Sequence, residues 1–160
     1  MRWLVFHAAR LVLLGLCLFL LVSAFIKLGD PASFREAIRA QGLLSPGLAS
    51  SAVYAVPWLE YLAALGGLVE LGLGGRAARL ALLVPLLLLS FAVYAMALHW
   101  FPPHKPAPCG CAGGKSPVED WSLIALRNGG AAALAAVAII AVARGAEPAA
   151  RPTLADAPPA

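Results

Sequence analysis

Cys109 and Cys111 stand one residue apart in Pro106-Ala107-Pro108-Cys109-Gly110-Cys111-Ala112-Gly113-Gly114, between two long apolar runs. Such a pair can cycle between dithiol and disulfide, hold a soft metal, or close once into a static ring. A disulfide needs alpha-carbons roughly 4.4–6.8 Å apart, and residues two apart in an extended chain sit near the top of that range. Closure therefore bends the backbone, and Gly110 supplies the freedom to bend. A strained bridge is reduced more readily than a relaxed one, and so small a ring removes little unfolded-state entropy. Both arguments favour exchange over a staple. His104, Lys105 and Lys115 are nearby cations that favour a thiolate. The metal alternative joins Cys109 and Cys111 to His104 or His99 as ligands for copper or zinc, but no second Cys/His cluster completes a closed site.

Glu60 is the second group of interest, because it lies inside an apolar stretch. A carboxylate within a membrane marks a functional site by default. Its expected partner is Lys27, with Arg127 the next choice, and the pair reads either as a proton site beneath the cysteines or as an ion pair locking two helices. Glu70 is expected to meet Arg76 or Arg79. Cys17 reads as a small core residue, and His7 and Tyr94 read as packing or interfacial groups. The sequence carries no phosphate-cradling glycine loop, no Ser/His/Asp arrangement and no histidine pair spaced for haem.

The elements that position these groups follow from composition. Of 160 residues, 61% are hydrophobic and only 12% charged, where a soluble domain carries roughly a quarter charged. The chain is expected to be an all-α integral membrane four-helix bundle. Spans are expected at about 8–28, 53–74, 80–100 and 121–142, forming one membrane domain over 1–143. A disordered Ala/Pro-rich tail is expected over 144–160. Val22-Ser23-Ala24 resembles a signal cleavage site, but the first run is longer than a signal core, so a retained span is expected. Between spans one and two, Asp30 can cap a short helix, Pro31 suits its first turn and Gly42 its exit. Phe34, Ala37, Ile38 and Gln41 share one face of it, which describes an amphipathic helix at the membrane surface. Ser45-Pro46-Gly47 reads as a turn, and Pro85 as a kink within span three.

Four spans put the loops at 29–52 and 101–120 on one side, with Trp58, Trp100 and Trp121 at that boundary. Both termini and Arg76/Arg79 fall on the other. Basic residues tie between the sides: Arg2, Arg10, Arg76, Arg79, Arg144 and Arg151 against Lys27, Arg35, Arg39, Lys105, Lys115 and Arg127. The very short Arg76/Arg79 turn favours cytoplasmic termini and a cysteine loop on the opposite, periplasmic side. The formal net charge of +4 fits basic loops and implies no nucleic-acid partner.

Several stretches together resemble the MauE/DoxX family of redox-associated membrane proteins. They are Lys27-Leu28-Gly29-Asp30-Pro31 with Phe34 and Ala37-Ile38, Leu43-Leu44 before Pro46, Pro57-Trp58-Leu59-Glu60, and Cys109-Gly110-Cys111 ahead of Arg127-Asn128. The resemblance covers most of residues 20–130. It implies a four-helix inner-membrane protein that supports maturation of the disulfide-rich small subunit of methylamine dehydrogenase, through disulfide formation or transport. Two positions depart from the family pattern: Ala112-Gly113 stands where Phe-Gly is common, and Gln41-Gly42 replaces a tyrosine.

The expectation is a thiol–disulfide exchange component that serves an exported or periplasmic protein with thiols or disulfides and is embedded in membrane lipid. A non-enzymatic or soft-metal-handling subunit and a quinol-linked subunit of DoxX type stay open. No cofactor is read directly, with quinone, copper and zinc as the alternatives.

Overall fold

The structure, a computed structural model, describes residues 2–73, 78–103, 107–108 and 120–145. The described residues form helices and no strand: α1 (Arg2–Gly29), α2 (Pro31–Gln41), α3 (Pro46–Leu73), α4 (Ala78–Ala81), α5 (Leu83–Trp100) and α6 (Trp121–Gly145). Four segments are long and apolar enough to cross a membrane: Trp3–Gly29, Pro46–Leu73, Arg79–Trp100 and Trp121–Arg144. Their outward faces carry Phe25, Leu86, Val93, Leu126 and Val137, all exposed. Lipid, not water, is the solvent that matches such a surface.

The spans close into a ring in which α1 touches α3 and α6, and α5 touches the same two. Neighbours run antiparallel. Arg10 on α1 donates to the Leu71 carbonyl near the end of α3 at 2.8 Å, whereas Lys27 at the other end of α1 meets Glu60. That first bond satisfies one of the last carbonyls of α3, which have no partner within the helix. The connections between α1 and α3 and between α5 and α6 therefore lie at one end of the bundle. The segment joining α3 to α4, with its Arg76, lies outside the described residues.

Small residues make the ring tight. Ala63, Ala64, Ala132, Ala135 and Ala138 are buried in the core beside Leu13, Cys17 and Leu88. Helices in lipid associate by close packing and gain no hydrophobic drive, so small side chains at the contact decide how near the backbones come. Gly66 is the extreme case: a Cβ there would lie 2.6 Å from the Leu80 carbonyl oxygen.

Helix α2 forms as its sequence predicts. The Asp30 side chain accepts from the Ser33 amide at 3.1 Å, Pro31 opens the first turn, and Gly42 ends the helix at φ 70°, where a side chain would be strained. Phe34, Ala37, Ile38 and Gln41 are its buried face. Several boundaries differ from expectation. Helix α1 begins at Arg2 and not near residue 8. Pro46 and Gly47 open α3 instead of forming a turn, because proline's fixed φ and missing N–H suit the first helical position. The added turns carry Ala49, which together with Val53 forms the surface on which Phe34 and Ile38 of α2 pack. In the third span, α4 stops at Ala81. Pro85 has no N–H for the Ala81 carbonyl, so the chain breaks there and restarts with Pro85 in the first turn of α5. At the C-terminal side α6 continues to Gly145, so the first two residues of the tail expected over 144–160 are helical, and the rest of it lies outside the described residues.

Candidate functional site

At the end of the bundle that holds α2, all four spans and α2 enclose a cavity of about 330 Å³. Its wall carries a concentration of polar groups: Ser23 and Lys27 from α1, Gln41 from α2, Glu60 from α3, Tyr94 from α5, and Arg127 and Asn128 from α6. Phe19, Phe34, Phe91 and Trp121 complete it with aromatic surface.

Lys27 lies in the last turn of α1 and Glu60 in mid-α3, so their contact ties two antiparallel helices. The Lys27 ammonium bonds Oε1 of Glu60 and also donates to the Ser23 hydroxyl at 2.8 Å. Ser23 in turn donates to the same Oε1 at 3.0 Å. Ser23 and Lys27 are four apart on one helix face, the spacing that lets both reach one carboxylate. Lys27 is 4% exposed and Glu60 1%, so the pair is held away from solvent, where each charge depends on the other. The Phe34 and Phe91 rings lie 5.4 and 5.6 Å from the Lys27 ammonium, within the range of cation–π attraction. Among the described residues, Oε2 of Glu60 has no hydrogen-bond partner.

A second polar chain reaches from the cavity to its rim. The Tyr94 hydroxyl donates to Oε1 of Gln41 at 2.8 Å. The Gln41 amide donates to the Pro108 carbonyl at 2.9 Å. Ala107 beside it is buried. Three separate parts of the chain meet in these two bonds.

Of the residues singled out in the sequence, Lys27 and Glu60 are together, and Arg127 shares their cavity. Cys109, Cys111, His104, Lys105 and Lys115 lie outside the described residues. Cys17 is buried in the core against Gly67. Glu70 is fully buried towards the opposite end of α3; of its two expected partners, Arg76 lies outside the described residues and Arg79 is exposed at the start of the third span. Sequence reasoning missed Ser23, which the competing cleavage-site reading had claimed, and the role of Tyr94. The available signals were a serine one turn before Lys27 and a glutamine on the buried face of α2.

Asp120, just before α6, accepts from the Ser122 hydroxyl and amide, each at 2.8 Å. Those bonds, the hydroxyl's first, hold its carboxyl below the usual carboxylate range. They favour the ionised form at the positive end of a helix.

Compared with known proteins, the family model for methylamine utilisation protein MauE matches residues 3–141. No curated protein and no solved structure shows a significant match.

Proposed function

This chain belongs to the methylamine utilisation protein MauE family, and from that premise we propose that it is a membrane thiol–disulfide exchange component whose Cys109/Cys111 pair serves an exported protein. In the resembling family that partner is the small subunit of methylamine dehydrogenase. A thiolate of the partner attacks the Cys109–Cys111 disulfide, a mixed disulfide forms, and the partner's second thiol resolves it. Two electrons and two protons pass from the partner to Cys109 and Cys111, so the partner gains a disulfide and this chain becomes the dithiol.

One observation carries the reading. The residue before Cys109 is hydrogen-bonded by Gln41 at the rim of a cavity that holds a buried Lys27–Glu60 pair. That bond holds Pro108, the residue leading into Cys109, beside the polar wall of the cavity. In this reading the end bearing α2 faces the periplasm of a bacterial inner membrane, with Arg10, Arg79 and Arg144 at the cytoplasmic end. Lys27 and Glu60 lock α1 to α3 beneath the exchange site.

Single variants Cys109→Ser and Cys111→Ser test the reading in cells. Each leaves one thiolate that can attack the oxidised partner's disulfide, the reverse of the same exchange, and lacks the second thiol that would carry the mixed disulfide on to a disulfide within this chain. Capture of an exported protein on one of them supports exchange. Full activity in both, with no captured partner, contradicts it.

A further inference from the structure

We propose that the cavity is a binding site for an uncharged, ring-bearing alcohol, held by the Asn128 amide of α6 and the Glu60 carboxylate of α3. Nothing in this site requires the cysteines. Most polar groups on the wall already have partners: Ser23, Lys27 and Oε1 of Glu60 bond one another, and Tyr94 bonds Gln41. Two are different. Oε2 of Glu60 has no hydrogen-bond partner among the described residues. Asn128 is buried at 7% exposure, and among the described residues its side chain has no hydrogen bond.

Their placement suits a ligand. Helices α1 and α5 each touch both α3 and α6, so α3 and α6 stand at opposite corners of the ring. Glu60 and Asn128 therefore line the cavity from opposed walls. A buried polar group without a partner is costly. A site that recognises a polar molecule carries that cost while empty and loses it when the ligand arrives.

The wall also sets the chemistry of the ligand. Phe19, Phe34, Phe91 and Trp121 bring rings from four elements, and aromatic pairs pack offset or edge to face. An apolar cavity of roughly 150 Å³ admits benzene. This one, at about 330 Å³, has room for a ring with a short side chain. A hydroxyl answers both unpartnered groups, since it donates to a carboxylate oxygen and accepts from an amide. Charge is disfavoured: a cation would stand near the Lys27 ammonium and an anion near Oε2 of Glu60, where little water screens either.

The full chain in detergent is titrated with para-butylbenzyl alcohol and with its methyl ether, which lacks the donor. Binding is read as a saturable rise of the unfolding midpoint. The alcohol is expected to bind about tenfold tighter than the ether, the effect of one hydrogen bond to a charged acceptor. Asn128→Leu is expected to weaken alcohol binding about fivefold, the effect of one neutral hydrogen bond. It should not lower the midpoint of the ligand-free protein, because no bond is lost there. A purely structural asparagine would do the opposite, lowering that midpoint and leaving the affinity for the alcohol unchanged. No saturable binding to the unsubstituted chain, or equal affinities for alcohol and ether, overturns the site. If Asn128→Leu does not fold, the asparagine is structural and its part in the site falls. The comparison of alcohol with ether on the unsubstituted chain then decides the Glu60 contact by itself.

Discussion

Replacing Lys27 by Met leaves the Glu60 carboxylate with only the Ser23 hydroxyl among the bonds that now hold Oε1. Glu60 is 1% exposed and lies in an apolar span, so bulk water does not take over from the lost ammonium. An uncompensated buried charge of this kind costs about 3–5 kcal/mol. Glu60→Leu strands Lys27 in the same way and is expected to cost a similar amount. The double variant removes both charges and substitutes apolar volume, and such replacements are commonly near neutral. The double should thus unfold far less easily than the two single effects summed, with a coupling of at least about 3 kcal/mol. Unfolding by added denaturing detergent, followed by circular dichroism, completes the cycle. Single costs below about 1 kcal/mol that simply add would refute the buried-pair argument. The same double variant also separates the two roles of Glu60: if it folds and still exchanges disulfides, the pair is a lock and no proton site.

Three other outcomes follow from the geometry. Gly66→Ala places a Cβ 2.6 Å from the Leu80 carbonyl oxygen and 3.1 Å from its carbon; backbone cannot yield cheaply, and unfolding should show a loss of about 1–3 kcal/mol. Gly67→Ala meets a side chain instead, the Cys17 sulfur, with Val84 Cγ2 at 3.3 Å, so adding Cys17→Ala should restore part of the lost stability; no rescue would contradict the packing described. The lowered pKa of Asp120 means that its support of α6 is complete above the usual carboxylate range and is lost as pH falls through the lowered value. Acid unfolding should show this component, and Asp120→Asn should remove it.

Much of the architecture was legible because the strongest signals are local. The face of α2 could be read from four residues at helical spacing, and its ends from Asp30, Pro31 and Gly42, since caps act within a turn. Lys27 and Glu60 could be matched because a charge inside an apolar run has few places to find a partner. Pro46-Gly47 misled, because the same dipeptide serves a turn or a helix start, and packing of α2 on Ala49 and Val53 decides between them. Pro85 signalled a disturbance correctly, but its effect falls one turn earlier, at the carbonyl it cannot bond. The Tyr94–Gln41–Pro108 chain was not legible, as it joins residues far apart in sequence through side chains that each have a bland reading. The sequence places Gln41 on the inner face of α2 and marks it as a departure from the family's tyrosine, but neither reading supplies its two bonding partners.

The most direct test of thiol exchange at an outward-facing loop is the state of Cys109 and Cys111 in intact cells. They are labelled with a membrane-impermeant thiol reagent before and after mild reduction, with Cys17, buried in the core, as the internal control. The account predicts little labelling at first, and labelling of both residues after brief reductant without breaking the cells. Labelling that appears only after lysis, or a pair that stays reduced and fully labelled throughout, would contradict it.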